Sequence, residues 1–440
     1  MEIFMTAKRS WRKLSRRNFI QTAAAAAAAP FVIPASAIGA DGETAPSERI
    51  TVGHIGVGGR GGGIFRHVQP HKAAQSVAAA DCFKSRREGF AAVCKGKAYA
   101  DFREILARDD VDAVIIATPD HWHVPAALAA AKAKKHVYLE KPLGLTIEQN
   151  LMLQKAFAGT GLVFQYGTQQ RSMEKCRHAC ALVRSGVLGK ITAIEVDAPN
   201  GGKGGSAAEA PVPPDLGEDG YEMWVGPAPK KPFTPDRCKP PGTYWIYDYS
   251  VGYLGGWGAH PLDLMVWGSD ADLSGIITVE GTGDVPAEGL YDTVYNWNMK
   301  IKLGEVDFTF RTGSDRTRFI GERGWIETGR HWEKAGDPEL LKVPVDAYEV
   351  LRLPKRDAAA VQNLAGDSHS GDFIAAIKTG TAAVSTLKDA VRSDNITQLC
   401  DIAVRTKSAV KWDPVRFQLV DATPEQTKML SRPMREPWTL

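Results

Sequence analysis

Three residues in this chain have both the chemistry and the setting to act on a small polar molecule: Lys141 in Glu140-Lys141-Pro142, His260 in Trp257-Gly258-Ala259-His260, and Asp81 after Ala78-Ala79-Ala80. A lysine supplies a cation or a proton at a reacting oxygen, and a histidine exchanges a proton with a hydroxyl or carbonyl near neutral pH. A carboxylate at a strand end accepts hydrogen bonds from ribose hydroxyls. What these groups can do depends on where the chain holds them.

Lys141 follows His136-Val137-Tyr138-Leu139, whose β-branched and aromatic content predicts a strand, and Thr146 with Gln149 predicts the start of the next helix. Glu140-Lys141-Pro142 therefore falls at the carboxyl end of a strand in a strand-helix series, the edge where open α/β sheets bind ligands. Pro142 fixes its own φ and biases Lys141 away from the α region, which keeps the lysine extended. Upstream, the predicted strand Arg49 to Ile55 runs into Gly56-Val57-Gly58-Gly59-Arg60-Gly61, a G-x-G-x-x-G turn that lets backbone approach a pyrophosphate. The strand Ser76 to Ala80 ends at Asp81, about 20 residues beyond the last glycine, as in NAD sites, although Lys84, Arg86 and Arg87 could suit a 2′-phosphate. Val111 to Ala117 predicts a buried strand ending at Thr118-Pro119-Asp120-His121-Trp122-His123, which can line a nicotinamide pocket. Residues 49–168 are thus expected to form a doubly wound α/β domain.

From residue 169 the strand-helix alternation stops. Ile191 to Val196, Gly275 to Glu280, Thr293 to Leu303 and Val306 to Thr312 predict strands of an antiparallel sheet, so 169–440 is expected to be an α+β domain. Pro199 to Pro214 and Pro227 to Pro241 predict irregular loops, Asp367 to Lys407 predicts helix, and the tail predicts extended chain. His260 is expected at an N-cap with Pro261 at the first helical position, after a tight turn made by Gly255, Gly256 and Gly258.

At 440 residues the chain is long enough for two domains. Six of its lysines and arginines lie in residues 1–37 against Glu2 alone, so the net charge of +3 becomes −2 without that segment. Such a balance gives no electrostatic footprint for nucleic acid. Ser15-Arg16-Arg17-Asn18-Phe19-Ile20, an alanine-rich run and Ala35-Ser36-Ala37 predict a twin-arginine export signal over 1–37, with 38–48 as linker and no membrane span in the mature protein. A periplasmic or otherwise exported location follows as an expectation, with the export machinery as one partner. The six cysteines lack metal-site spacing and are expected to be free thiols with no metal bound.

Taken together, GVGGRG at 56–61, ATPDHWH at 117–123, EKP at 140–142, GTQQRS at 167–172, YDYS at 247–250, WGAH at 257–260 and the closing KWDP and REPW segments resemble the Gfo/Idh/MocA family of oxidoreductases. The resemblance implies a Rossmann doubly wound domain plus a C-terminal α+β domain with a largely antiparallel open sheet, tightly bound NAD or NADP, a carbohydrate or cyclitol substrate, and a homo-oligomer. It implies a cofactor set of Gly56, Gly58, Gly59, Arg60, Gly61, Asp81, Thr118, Pro119, His123, Glu140, Lys141 and Gln169. The implied substrate set is Lys141, Arg171, Asp248, Tyr253, His260 and Asp263, with Lys141 and His260 catalytic. One departure is visible: many relatives have D-W-G-A-H where this chain has Gly256, so the acid that accompanies His260 is missing, and Asp248, Tyr253 or Asp263 are candidates to replace it. Three activities are open on this basis. They are sugar dehydrogenation, glycoside cleavage by an oxidation, elimination, hydration and reduction cycle on bound NAD, and sugar binding without catalysis.

Overall fold

The computed structural model describes residues 44–270, 274–304, 306–356 and 368–439. The chain divides into two compact units. The described part of the first, Met1–Glu48, holds one short 3-10 turn, Pro46–Glu48. The predicted export signal lies outside the described residues. Both sheets lie in the second unit, Arg49–Leu440.

Its first half is a six-stranded parallel sheet in the order β3-β2-β1-β4-β5-β6, formed by β1 (Ile50–Ile55), β2 (Ala74–Ala80), β3 (Lys97–Tyr99), β4 (Ala113–Ile116), β5 (His136–Leu139) and β6 (Phe164–Tyr166). The order reverses between β1 and β4, which opens a crevice at their carboxyl ends. Because helices cover both faces, the central strands are apolar on alternate residues in both directions. Val114, Ile116, Val137 and Leu139 join one core cluster with Ala126, Ala127 and Leu153. Ala113, Ile115 and Tyr138 join another with Ile64 and Val68 of α1 (Gly59–Val68). That second cluster also takes Phe373 and Ile374 from far down the chain, so the C-terminal half returns to cover the first sheet.

The second sheet has nine strands ordered β13-β12-β11-β7-β10-β9-β8-β14-β15, antiparallel except for the pairing of β7 (Ile191–Ala198) with β10 (Val306–Thr312). β8 (Ile277–Asp284) and β9 (Asn296–Leu303) match predicted strands, and β9 alternates strictly, burying Trp297, Met299, Ile301 and Leu303. Sequence reading missed β11 (Arg316–Gly321), β12 (Gly324–Gly329) and β13 (Trp332–Ala335), together with β14 (Val410–Asp413) and β15 (Gln418–Val420) in the tail. On β11 the outward arginines interrupt the apolar run. They are held by partners on other strands, with Arg316 on Asp197, Glu195 and Glu327 and Arg318 on Glu327.

Three helices cover the apolar face: α2 (Glu174–Arg184), α3 (Ala259–Ser269) and α4 (Leu387–Thr406). The predicted helix 367–407 is two helices, since α4 is preceded by His369–Thr379, which ends at Gly380 in the left-handed region. All six cysteines are free. Among the described residues no helix is long and apolar enough to cross a membrane.

Candidate active site

At the nucleotide turn the glycines have separate jobs. Gly56 has φ +80°, and a Cβ there would stand 2.7 Å from the Ala117 carbonyl oxygen. A Cβ at Gly61 would stand 2.1 Å from the Gly56 oxygen, so that glycine lets α1 close on β1. At Gly59 a Cβ would meet nothing within 4 Å, leaving room over the helix start, where unpaired backbone N–H groups favour an anion. Gly56, Gly58, Gly59, Arg60, Asp81, Thr118 and Pro119 line one cleft. The Thr118 hydroxyl oxygen is buried in the described structure without a partner. Asp81 accepts from the Val57 N–H at 3.0 Å and the Phe83 N–H at 2.9 Å, and burial pushes its carboxyl up against these bonds. A cradle that side chains would fill, an unpartnered hydroxyl and a carboxylate at the strand end fit a dinucleotide.

The 2′-phosphate alternative loses most of its cations. Arg87 donates to the carbonyls of Asp81 and Cys82, and Lys84 lies beside Glu88, while Arg86 alone borders the cleft over the Phe83 ring.

The cleft is roofed by the helix Gly217–Val225, which lies beyond the predicted loop. His121 and Trp122 hold it: the Trp122 indole N–H donates to the carbonyls of Met223 and Trp224 at 3.0 and 3.1 Å, and His121 Nε2 lies 2.9 Å from the Trp224 oxygen. Burial drives the His121 pKa down to about 4. The second motif, Tyr247 to Ser250, docks against the first. The His121 N–H donates to the Tyr249 carbonyl, and the Ser250 hydroxyl donates to Asp120 at 2.6 Å.

Lys141 is fixed from both sides. Glu140, buried under it, accepts from Arg60 Nε at 2.9 Å and from Gln169 Nε2 at 2.7 Å. His123 is equally buried, its Nδ1 2.6 Å from the Pro142 oxygen and its Nε2 3.1 Å from the Thr118 oxygen, so it clamps two strand ends and turns no ring nitrogen to the cleft. Behind Pro142, Asp394 of α4 accepts from the Leu143 N–H at 3.1 Å and Gln398 donates to the Gly144 carbonyl at 2.9 Å. Thr146 caps the following helix through Gln149 N, while the Gln149 side chain accepts from Leu145 N and leaves the capping box unclosed. Burial lowers the Lys141 pKa, with Glu140 and Asp120 opposing and Arg60 and Arg330 adding to the fall.

His260 lies inside the first turn of α3, since the helix begins at Ala259 and not at Pro261 as predicted. The glycines before it form a short helix, Gly252–Gly256, instead of a tight turn. His260 is 3% exposed and its Nδ1 has no partner. Burial, then Lys141, Arg330, Arg60 and His369, hold its pKa well below the usual histidine value, so the ring is neutral.

Other expected substrate residues are engaged elsewhere. Arg171 and Asp263 form a fully buried bidentate pair at 2.6 and 2.7 Å, and Arg171 also meets Asp389 at 2.9 Å and the Val384 carbonyl. With every nitrogen donating to protein, Arg171 ties α2's approach to α3 and α4 rather than facing a ligand. Asp248 pairs with Lys231 at 2.5 Å and so is not placed to serve His260. Tyr253 belongs to an aromatic group with Trp245 at 4.3 Å and Trp257 at 5.3 Å between centroids. One site residue was missed altogether. Arg330, in the turn after β12, stacks on Trp257 at 5.0 Å, pairs with Asp315 at 2.7 Å and acts on both His260 and Lys141. No local motif marks it, because a hairpin turn far along the chain delivers it.

Two family models match: one described as oxidoreductase family, NAD-binding Rossmann fold, over residues 50–168, and one described as oxidoreductase family, C-terminal alpha/beta domain, over 175–307. Together they span more than half of the chain. Among curated proteins, an alpha-N-acetylgalactosaminidase of Shewanella oneidensis is 36% identical over 148 residues, 30% of this chain and 31% of that protein. The matched stretch spans about a third of the length of such curated relatives. Two solved structures share the fold. An aldose-aldose oxidoreductase from Caulobacter crescentus complexed with glycerol has TM-score 0.58 and 16% identity, covering 82% of this chain and 99% of its own. A WlbA dehydrogenase from Chromobacterium violaceum in complex with NADH and UDP-GlcNAcA has TM-score 0.60 and 14% identity, covering 84% and 97%.

Proposed function

The chain belongs to the Gfo/Idh/MocA family of oxidoreductases with an NAD-binding Rossmann domain, and on that premise we propose that it moves hydride between tightly held NAD and a carbinol carbon of a sugar, glycoside or cyclitol. The observation that carries this reading is Lys141 at a strand end bordering the nucleotide crevice, with the buried neutral imidazole of His260 beside it. Gly58, Gly59 and the start of α1 would hold the pyrophosphate and Asp81 the adenosine ribose, and NAD supplies the hydride acceptor when bound. Neutral His260 accepts the hydroxyl proton, and Lys141 holds positive charge at the oxygen as it becomes a carbonyl. Glu140 and Asp120 oppose the lowering of that lysine's pKa by burial. Arg60, Gln169 and His123 act at one remove by fixing Glu140 and Pro142.

A second reading, redox-recycling glycosidase action, is favoured by the likeness to the Shewanella alpha-N-acetylgalactosaminidase. Here the ketosugar formed at Lys141 loses its glycosidic group by elimination, water adds, and the hydride returns. Incubating the protein with free sugars and aryl glycosides while following NADH absorbance and aglycone separates the two. Ketosugar with NADH supports net oxidation, and aglycone with no net NADH supports recycling. Neither product from any carbohydrate overturns both. We further propose export through the twin-arginine pathway, which Arg16→Lys with Arg17→Lys should block, leaving the protein in the cytoplasmic fraction.

A further inference from the structure

The closing Arg435-Glu436-Pro437-Trp438 has no part in the hydride step, yet it is bonded to one wall of the nucleotide cleft. That wall is the helix Gly217–Val225 with the chain after it: Met223, Trp224, Pro240 and Tyr244 line the same cleft as Gly58, Gly59 and Asp81. The last carbonyls of a helix have no partner within it. Here two sets of donors take them. Trp122 and His121 bond the Met223 and Trp224 oxygens from the side of the first sheet. From the other side Arg435 donates to the Gly226 oxygen through Nε at 3.1 Å and Nη2 at 2.8 Å, to the Ala228 oxygen at 3.2 Å, and through its backbone N–H to the Pro227 oxygen at 2.9 Å. It also pairs with Glu222 in the last turn, and a guanidinium at this end matches the negative pole of the helix.

Gly226 is pinned between these two sides, since a Cβ there would stand 2.1 Å from the Trp122 ring while its carbonyl is held by Arg435. Trp438 closes the same junction. Its ring meets Trp122 edge-on at 4.9 Å, the Arg103 guanidinium lies 5.3 Å over it, and it packs against the cluster that holds Phe102, Trp122 and Met223, all three of which line the cleft. The segment is anchored at its start as well: the Leu430 carbonyl accepts from the Glu148 N–H at 3.1 Å, and Arg432 stacks on Tyr247 at 3.6 Å and donates to its carbonyl. Residues 430–438 thus form a strap from fixed anchors to the end of the wall. Among the described residues lining the cleft neither Arg435 nor Trp438 appears, so their bonds hold the wall whether or not a nucleotide lies behind it.

We propose that this strap is the latch that retains the dinucleotide, with Arg435 and Trp438 as positioning residues that slow its entry and its escape alike without adding to its equilibrium affinity. This rests on the proposed NAD binding and names what makes the cofactor slow to exchange. The physical reason is that a contact present in both the empty and the occupied protein has no differential interaction with the nucleotide, so it cannot shift the binding equilibrium. It raises the cost of opening the wall, and opening precedes both entry and release.

The test follows NADH on the full chain. Release is measured by displacement with excess NAD in stopped-flow fluorescence, and entry by mixing NADH with protein stripped of nucleotide on charcoal. Arg435→Ala and Trp438→Ala should each speed release at least ~10-fold, because each removes charge-assisted hydrogen bonds or a packed aromatic pair. Entry should speed by a similar factor, leaving the dissociation constant within about 3-fold of wild type. Arg435→Lys keeps a cation at the helix end but loses the fork, and should fall between wild type and Arg435→Ala. Arg416→Gln, which alters an exposed arginine between β14 and β15, should change neither rate. Urea unfolding checks that each variant folds, and if an alanine variant does not, Arg435→Lys and Trp438→Phe carry the same comparison of rates. Unchanged release in the Arg435 and Trp438 variants overturns the inference. So does faster release with unchanged entry, which is the mark of a lost contact to the bound nucleotide, and so does equal acceleration in Arg416→Gln. A wild-type protein that neither carries nucleotide by mass spectrometry nor binds NADH on titration overturns the NAD reading itself.

Discussion

Arg60 Nε stands 2.9 Å from Glu140 Oε1, so the glycine-rich turn that opens the nucleotide site is bonded to the strand end that carries Lys141. Gln169 reaches the same carboxylate oxygen and also the Tyr138 hydroxyl at 2.7 Å. These bonds tie the glycine-rich turn to the strand end before Lys141, the kind of fixed relation that the proposed positioning of a hydride acceptor against a carbinol carbon requires.

Lys141→Met should leave NAD binding within a few fold and reduce hydride transfer at least ~10²-fold, because the proposed mechanism puts the ammonium at the reacting oxygen and not at the phosphates. Fluorescence titration with NADH and single-turnover absorbance measure the two separately. Near-normal turnover would remove the centre of the mechanism.

The pH profile of kcat/KM reports the free enzyme. His260 is held well below its ordinary value, so it stays in the accepting form through pH 6.5 and the acid limb should lie well below that pH. Lys141 is lowered, so the alkaline limb should fall below pH 10.5. Glu140→Gln removes the carboxylate that most opposes this lowering and should move the alkaline limb to still lower pH. An unmoved limb would show that Lys141 does not titrate in it.

Asp263→Asn should cost stability first. It leaves Arg171 buried with half of its bidentate partner gone, a change worth about 3–5 kcal/mol when a buried pair is broken. Denaturant unfolding at pH 7 measures it. Lost turnover at unchanged stability would instead return Arg171 and Asp263 to the substrate set.

Acid should weaken the fold partly through His54, whose pKa burial lowers to about 3. The unfolded ring takes a proton near pH 6.5 and the folded ring does not, so its contribution is intact above pH 6.5 and is lost as pH falls toward 3, by about 1.4 kcal/mol per pH unit. In His54→Gln the unfolding free energy should drop less than in wild type between pH 6.5 and 5. Equal slopes in the two proteins would contradict this.

Much of the fold was legible because its signals are local. Parallel strands buried on both faces show as apolar runs, such as Val114 to Ile116, and a pyrophosphate turn needs glycine where backbone meets backbone, as at Gly56 and Gly61. Strict alternation likewise exposed β9. β11 escaped because Arg316 and Arg318 are satisfied by Asp197, Glu195 and Glu327 on other strands, and only pairing makes that segment a strand.

The sequence by itself determined which residue types stand at the strand ends, glycines at 56 to 61, Asp81 and Lys141 before Pro142, and that a histidine, His260, follows a glycine-rich segment. Only the tertiary structure decided which of them face a ligand. It buried Arg171 against Asp263, turned His123 to two carbonyls, sent Asp248 to Lys231, and brought Arg330 from a distant hairpin to His260. The physical reason is that a local motif fixes backbone direction, whereas the choice between a protein partner and a ligand depends on which groups the folded chain places within reach, and some of those come from other elements, as Asp263 does from 92 positions beyond Arg171.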